Sequence, residues 1–322
     1  MRRLLTTVTL AISALLATGT ATAQTKTYPD HPITLIVPYP PGGVTDAFAR
    51  SIGDYLGRMW NTQVIVENKG GAGTIIGTQH VSRAKSDGYT LLLTSYAYTS
   101  NPILRKDMPY DPASLTPIML LGNSRNMLVV SGRGNLHTLK DVIAKGKKAP
   151  GNLKFASSGN GSSPHIAAEL WAKAVGVSIT HIPYKGTGPA MNDVFAGLVD
   201  GIFDGPGSIA NVHAGRLRAL GIASETRHPD APEVPTFREQ GIDLVFGSWF
   251  GFLAPAGTPK PVIQKINEGL NQSLSDPKVK AVLASAGLFV VGGTPDEFAS
   301  FLDHESNRLQ GLVDSGVKLL VK

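Results

Sequence analysis

Short apolar, β-branched runs alternate with helix-spaced stretches along this chain, and that alternation limits the fold more than any other feature. Ile33-Thr34-Leu35-Ile36-Val37 reads as a buried strand. A Pro-Pro-Gly-Gly break follows, and then Phe48, Ile52, Tyr55, Leu56 and Met59 fall at helical spacing. Gln63–Val66 is a second strand. Gly70, Gly71 and Gly73 lead into a helix through Ala84, and Ser86-Asp87-Gly88 turns the chain into a third strand, Tyr89–Thr94. This βαβαβ order predicts a mostly parallel sheet flanked by helices. Two strands, Ile118–Leu121 and Met127–Val130, come with little between them, and a second alternation begins. Thr138 caps a helix to Lys147, Leu153–Ala156 is a strand, and Pro164 sits in the first turn of a helix to Val175. Ile179–Pro183, Gly201–Phe203 and Leu217–Ala223 are strands, with a helix at Pro189–Ala196. An apolar run, Trp249–Ala254, precedes helices near 259–274, 276–286 and 294–313. The pattern predicts two α/β lobes, 24–124 with 248–322 and 125–247, joined by two crossings.

The N-terminus has a different character. Arg2 and Arg3 precede an apolar run from Leu4 to Ala17, and Ala21-Thr22-Ala23 fits a small-residue cleavage site. That layout predicts a signal peptide over 1–23 and a periplasmic mature chain. No cysteine occurs anywhere, which excludes disulfides, thiol catalysis and zinc–thiolate sites. Losing Arg2 and Arg3 lowers the formal charge from +6 to +4. The basic residues are dispersed, and Lys145, Lys147 and Lys148 read as a solvated helix end, so no nucleic-acid partner is expected.

Two loops carry the candidate chemistry. Val37–Asp46 and Ala156–His165 each join the carboxyl end of a strand to the start of a helix. Glycine there lets backbone approach a ligand, and first-turn N–H groups are unpaired donors beside a positive dipole end. Ligands of open α/β sheets bind at the carboxyl ends of strands. Two such loops facing each other would clamp a dicarboxylate with neutral donors. The competing account is an ordinary pair of Gly-rich turns whose Ser and Thr cap helices.

Enzyme signatures are weak. Gly71, Gly73 and Gly77 space as G-x-G-x-x-x-G, one residue too long for the commonest dinucleotide fingerprint, and read as a tight turn with close helix packing. No P-loop, nucleophile elbow or H-E-x-x-H is present. Nothing in the sequence brings Asp46, Ser162 and His165 together as a triad. No catalytic residue, cofactor or metal is expected.

The text around the two loops resembles the extracytoplasmic solute receptors of the tripartite tricarboxylate transporter family, the Bug-type receptors. The resemblance lies in Ile36-Val37-Pro38, Gly42 to Arg50, Val66 to Gly73, Asp87 to Leu91, Ser157 to His165, Pro183 to Gly186, Ala214 to Leu220, Pro232 to Thr236 and Ala254 to Pro259. It implies a two-lobed type II periplasmic binding-protein fold and a monomeric receptor. The receptor would capture a small carboxylate (di- or tricarboxylate, acidic amino acid or aromatic acid) and deliver it to membrane transporter subunits. The family's ligand positions map onto Tyr39, Gly42, Gly43, Thr45, Asp46, Ser95, Ser157, Gly159, Asn160, Gly161, Ser162, Ser163, His165, Tyr184 and Asp204. Asp46 reads equally as a ligand or water contact and as a helix cap. An exported hydrolase and a receptor feeding a signalling protein are the rival functions.

Overall fold

The computed structural model describes residues 28–316; the expected signal peptide, 1–23, lies outside them. From the N-terminal side, β1 (Ile33–Val37), α1 (Val44–Trp60), β2 (Val64–Asn68), α2 (Ile75–Ser82) and β3 (Thr90–Ser95) form the βαβαβ unit. Then come α3 (Ala97–Leu104) and the long β4 (Leu115–Arg125). The chain crosses at Asn126 into β5 (Met127–Ser131), α4 (Leu139–Lys148), β6 (Leu153–Ser157), α5 (Ser163–Val175), β7 (Ile179–Pro183) and α6 (Thr187–Ala196). It continues through β8 (Gly201–Asp204), α7 (Ile209–His213) and β9 (Leu217–Ile222). It returns as β10 (Gly247–Pro255), followed by α8 (Lys260–Ser273), α9 (Pro277–Ser285), β11 (Phe289–Gly292) and α10 (Pro295–Asp314).

Two sheets result, in the orders β11-β4-β10-β3-β1-β2 and β7-β6-β8-β5-β9. Each has a parallel part, β2-β1-β3 and β7-β6-β8. Each also holds a strand inserted antiparallel: β10 between β3 and β4, and β5 between β8 and β9. The sheets are therefore mixed, where the alternation alone predicts mostly parallel ones. The reason is the route of the chain. β5 and β10 are the strands on which it enters each sheet from the other, with no crossover helix to reverse direction, so they run against their neighbours.

The periodicities lead to the right faces. Phe48, Ile52 and Leu56 of α1 are fully buried against β1, with Ile33 and Leu35 in the same cluster. A second cluster fills the other sheet around Met127, Val129 and Ile202. The largest cluster spans both sheets. Tyr96 packs edge-on to Phe246, Phe155 to Trp171, and Trp249 to Phe298 of α10.

The two crossings lie side by side. The Asn126 N–H donates to the Phe246 carbonyl (3.0 Å), the Ala223 N–H to the Asn126 carbonyl (2.7 Å), and the Phe246 N–H to the Ala223 carbonyl (3.0 Å). The sheets meet at this short ladder.

Candidate functional site

A cleft of about 440 Å³ opens between the sheets at the carboxyl ends of their parallel strands, where open α/β sheets bind ligands. Its wall is built from the chain after β1 (Tyr39–Thr45), the ends of β3 and β4 (Ser95, Ser124), the start of α5 (Ser162–Pro164), the start of α6 (Gly186–Pro189) and the chain after β8 (Asp204–Ser208). No Lys, Arg or His lines it among the described residues, and Asp204 is its one charged side chain.

Donors come instead from helix starts. Gly43, Ser162 and Gly186 stand at the N-caps of α1, α5 and α6, and none supplies a side-chain hydrogen bond to its own first turn. Three other helices are capped by side chains: Thr138 accepts from Asp141 N–H at α4, Asp276 from Lys278 and Val279 N–H at α9, and Thr294 from Glu297 N–H at α10, whereas α2, α3, α7 and α8 also lack a side-chain cap. Three uncapped N-termini, from both sheets, thus face one cleft. Each contributes about 0.3–1 kcal/mol toward an anion at an exposed site, and up to about 2 kcal/mol where partly buried. Hydroxyls of Thr45, Ser95, Ser124, Ser163, Thr187 and Ser248 stand among them. Tyr39 Oη and Ser95 Oγ are 2.5 Å apart, fixing the phenol against β3; burial pushes the Tyr39 pKa up to about 12, so it remains a neutral donor.

Asp46 does not line the cleft. It holds the first loop from behind: its Oδ2 accepts from Gly42 N–H (2.9 Å) and Arg50 Nε (3.1 Å), and its Oδ1 from Asn68 Nδ2 (2.9 Å). Burial alone would raise its pKa, but the hydrogen bonds from Arg50, Gly42 and Asn68 outweigh that and hold it below the usual carboxylate range. The carboxylate that is awkward for an anion site is thus neutralised by Arg50 on the far side of the loop.

Comparison with known proteins settles the family. The model of the tripartite tricarboxylate transporter family receptor matches residues 48–316. The chain belongs to that receptor family. This receptor is 36% identical to protein BugT of Bordetella pertussis (strain Tohama I), with 99% of each chain covered. It superposes on the structure of periplasmic binding protein BugD with a TM-score of 0.85 at 33% identity, covering 90% of this chain and 99% of that one. It superposes equally well, with a TM-score of 0.85 at 28% identity, on an R. palustris protein solved with adipate, covering 89% and 97% of the two chains. The family consists of periplasmic solute-binding receptors that work with tripartite transporters.

Of the sequence-predicted positions, the receptor brings Tyr39, Gly42, Gly43, Thr45, Ser95, Ser162, Ser163 and Asp204 together on the cleft wall. Ser157, Gly159, Asn160, Gly161, His165 and Tyr184 lie outside it, because the second loop presents only Ser158 and the start of α5 to the cleft. Ser157 Oγ lies 2.5 Å from His181 Nε2, and the His165 ring stacks on His181 at 3.8 Å while its Nδ1 accepts from Gly161 N–H (3.2 Å). Burial, reinforced by His181, depresses the His165 pKa to about 3, and burial depresses that of His181 to about 4. Tyr184 Oη is engaged 2.5 Å from Asp193 Oδ2. Sequence reasoning missed the start of α6 and the end of α9, where Val282, Ser285 and Ala286 reach the cleft. The first carried a signal: Gly186-Thr187-Gly188-Pro189 after a strand repeats the strand–loop–helix pattern of the other two loops. The α9 residues carried none, since they come from a remote stretch of chain.

Proposed function

We propose that this receptor captures a small carboxylate, a di- or tricarboxylate or an aromatic acid, in the interlobe cleft and delivers it to membrane transporter subunits. The observation that carries the reading is the convergence of three uncapped helix N-termini on a wall with no cation among the described residues. Neutral donors there bind an anion while leaving no fixed charge to trap it. The adipate held by the R. palustris protein supports an acid of this size. One carboxylate sits on the Gly42–Thr45 backbone and hydroxyls, the other on the starts of α5 and α6. The lobes, 24–124 with 248–322 and 125–247, close around it. Residues 1–23 are an export signal, and the mature chain acts as a monomer without a nucleic-acid partner.

The chain turns over no substrate on this reading. The one tight Ser–His contact among the described residues, Ser157 with His181, involves a fully buried serine outside the cleft wall. Isothermal calorimetry against adipate, succinate, citrate and terephthalate tests the function. At least one acid is expected to bind, and Gly43→Val to weaken it more than tenfold by filling the wall. Binding by none, or unchanged binding in Gly43→Val, would overturn the reading.

A further inference from the structure

The Gly70–Thr74 loop is spelled out in the sequence yet lines no part of the cleft. It is nonetheless one of the most constrained pieces of backbone in the receptor. Ala72 and Thr74 both hold left-handed conformations, φ +49° and +79°, that side-chain-bearing residues rarely adopt. Asn101 of α3 and Arg105 at its C-cap hold it there. Asn101 Nδ2 donates to the Gly73 carbonyl (2.8 Å), and Arg105 Nη2 donates to the Ala72 carbonyl (3.3 Å). Strain over-determined in this way marks a loop shaped for a contact.

The contact is with the other lobe. A Cβ on Gly73 would lie 2.9 Å from the Asn160 carbonyl oxygen, and one on Gly159 would lie 3.7 Å from the Gly73 Cα. Beside it, Ser100 Oγ donates to the Gly161 carbonyl at 2.5 Å, with both residues buried. A Cβ on Gly161 would strike that Oγ at 2.8 Å. Backbone therefore meets backbone across the lobe boundary at Gly73, and at Gly161 a side chain would displace the Ser100 hydroxyl. None of residues 72–74, 100, 101 or 159–161 belongs to the cleft wall.

We propose that the Gly70–Thr74 loop and Ser100 form a closure latch that grips the 159–161 loop and sets ligand affinity without touching the ligand. The latch acts at the foot of the second loop, whose continuation, Ser162 and Ser163, lines the cleft. Gripping 159–161 brings the α5 start toward the first loop. Gly159, Asn160 and Gly161, which sequence reasoning assigned to the ligand, act here as the striking face for the other lobe.

The inference leans on the carboxylate reading only for its affinity readout. Ser100→Ala removes the donor, and Gly73→Ala inserts a methyl group between the lobes. Both variants are expected to weaken every acid of the calorimetry panel that binds by a common factor, about fivefold to tenfold for one lost hydrogen bond, leaving the ranking of acids unchanged. Small-angle scattering of ligand-free protein should show both variants with a larger radius of gyration than the native receptor. A changed ranking would mean direct ligand contact and overturn the latch. So would ligand-free radii equal to the native one. If no acid binds the native receptor, the carboxylate reading fails, and the scattering alone decides the latch.

Discussion

Asp204 sits on the cleft wall with no cation paired to it among the described residues. Burial raises its pKa above the usual carboxylate value, opposed by hydrogen bonds from Ser208 Oγ (2.5 Å) and the Gly205 N–H. A dianionic ligand would raise it further, because like charges sharing an enclosed space disfavour ionisation of one of them. Binding such a ligand then takes up a proton. The sign follows from linkage: the complex holds more protons than the free partners at neutral pH, so affinity rises as pH falls toward the raised range. One linked proton limits the gain to tenfold per pH unit. The affinity of the tightest-binding dicarboxylate, measured from pH 8 to pH 5, should climb in the native receptor and stay flat in Asp204→Asn. A slope that survives in Asp204→Asn would place the proton elsewhere.

The elements themselves were legible wherever burial wrote a period into the sequence. α1 shows its apolar stripe at Phe48, Ile52 and Leu56 because it packs one continuous face, and β1 its unbroken apolar run because Ile33, Leu35 and Val37 bury one face and Ile36 the other. α3 left no such trace: its buried residues include Thr99, whose hydroxyl donates back to the Tyr96 carbonyl, and Ser100 and Asn101, whose side chains serve the other lobe and the loop, and Pro102 interrupts it. β11 was missed because it is a sheet edge, with Phe289, Val290 and Val291 about half exposed and no alternation to read. Both site loops were visible as strand–glycine–helix junctions, but which of their residues face the ligand depends on the angle at which α5 meets β6. The histidines on α5 and β7 show the difference, since His165 and His181 turned away from the cleft to brace the loop. Their folded pKa values, about 3 and about 4, lie below the unfolded value of about 6.5. The unfolded chain therefore binds protons first, so their contribution to stability is present above pH 6.5 and is lost as pH falls toward 4. Urea unfolding at pH 7 and pH 4.5 should show a lower midpoint at the acid pH. Replacing the pair with His165→Gln and His181→Gln should shrink that drop. An equal drop in the variant would assign the acid sensitivity to other groups.

At the scale of the molecule, the lobes cannot slide past each other. One apolar cluster runs through both, from Leu92 and Tyr96 through Phe246 and Trp249 to Phe155 and Trp171. Shear would break that packing, whereas rotation about the two crossings need disturb only its rim. The crossings are unusually close. Gly247 pairs with Arg125, and a Cβ placed on Gly247 would lie 1.8 Å from the Ser124 carbonyl oxygen. No side chain yields there, because the obstacle is backbone, so Gly247→Ala must push β4 and β10 apart at the point where the sheets join. Overpacking of this kind costs about 1–3 kcal/mol, which should appear as a lower unfolding temperature in calorimetry. The consequence for closure is more telling. If the paired crossings are the hinge, the native receptor's radius of gyration should shrink on saturation with its tightest-binding acid, and the Gly247→Ala radius should not. A change at the crossings, beside the wall residues Ser124 and Ser248, would then have removed the motion. A variant that destabilises the fold yet contracts fully on binding would show that the hinge lies elsewhere, with the aromatic cluster yielding in its place.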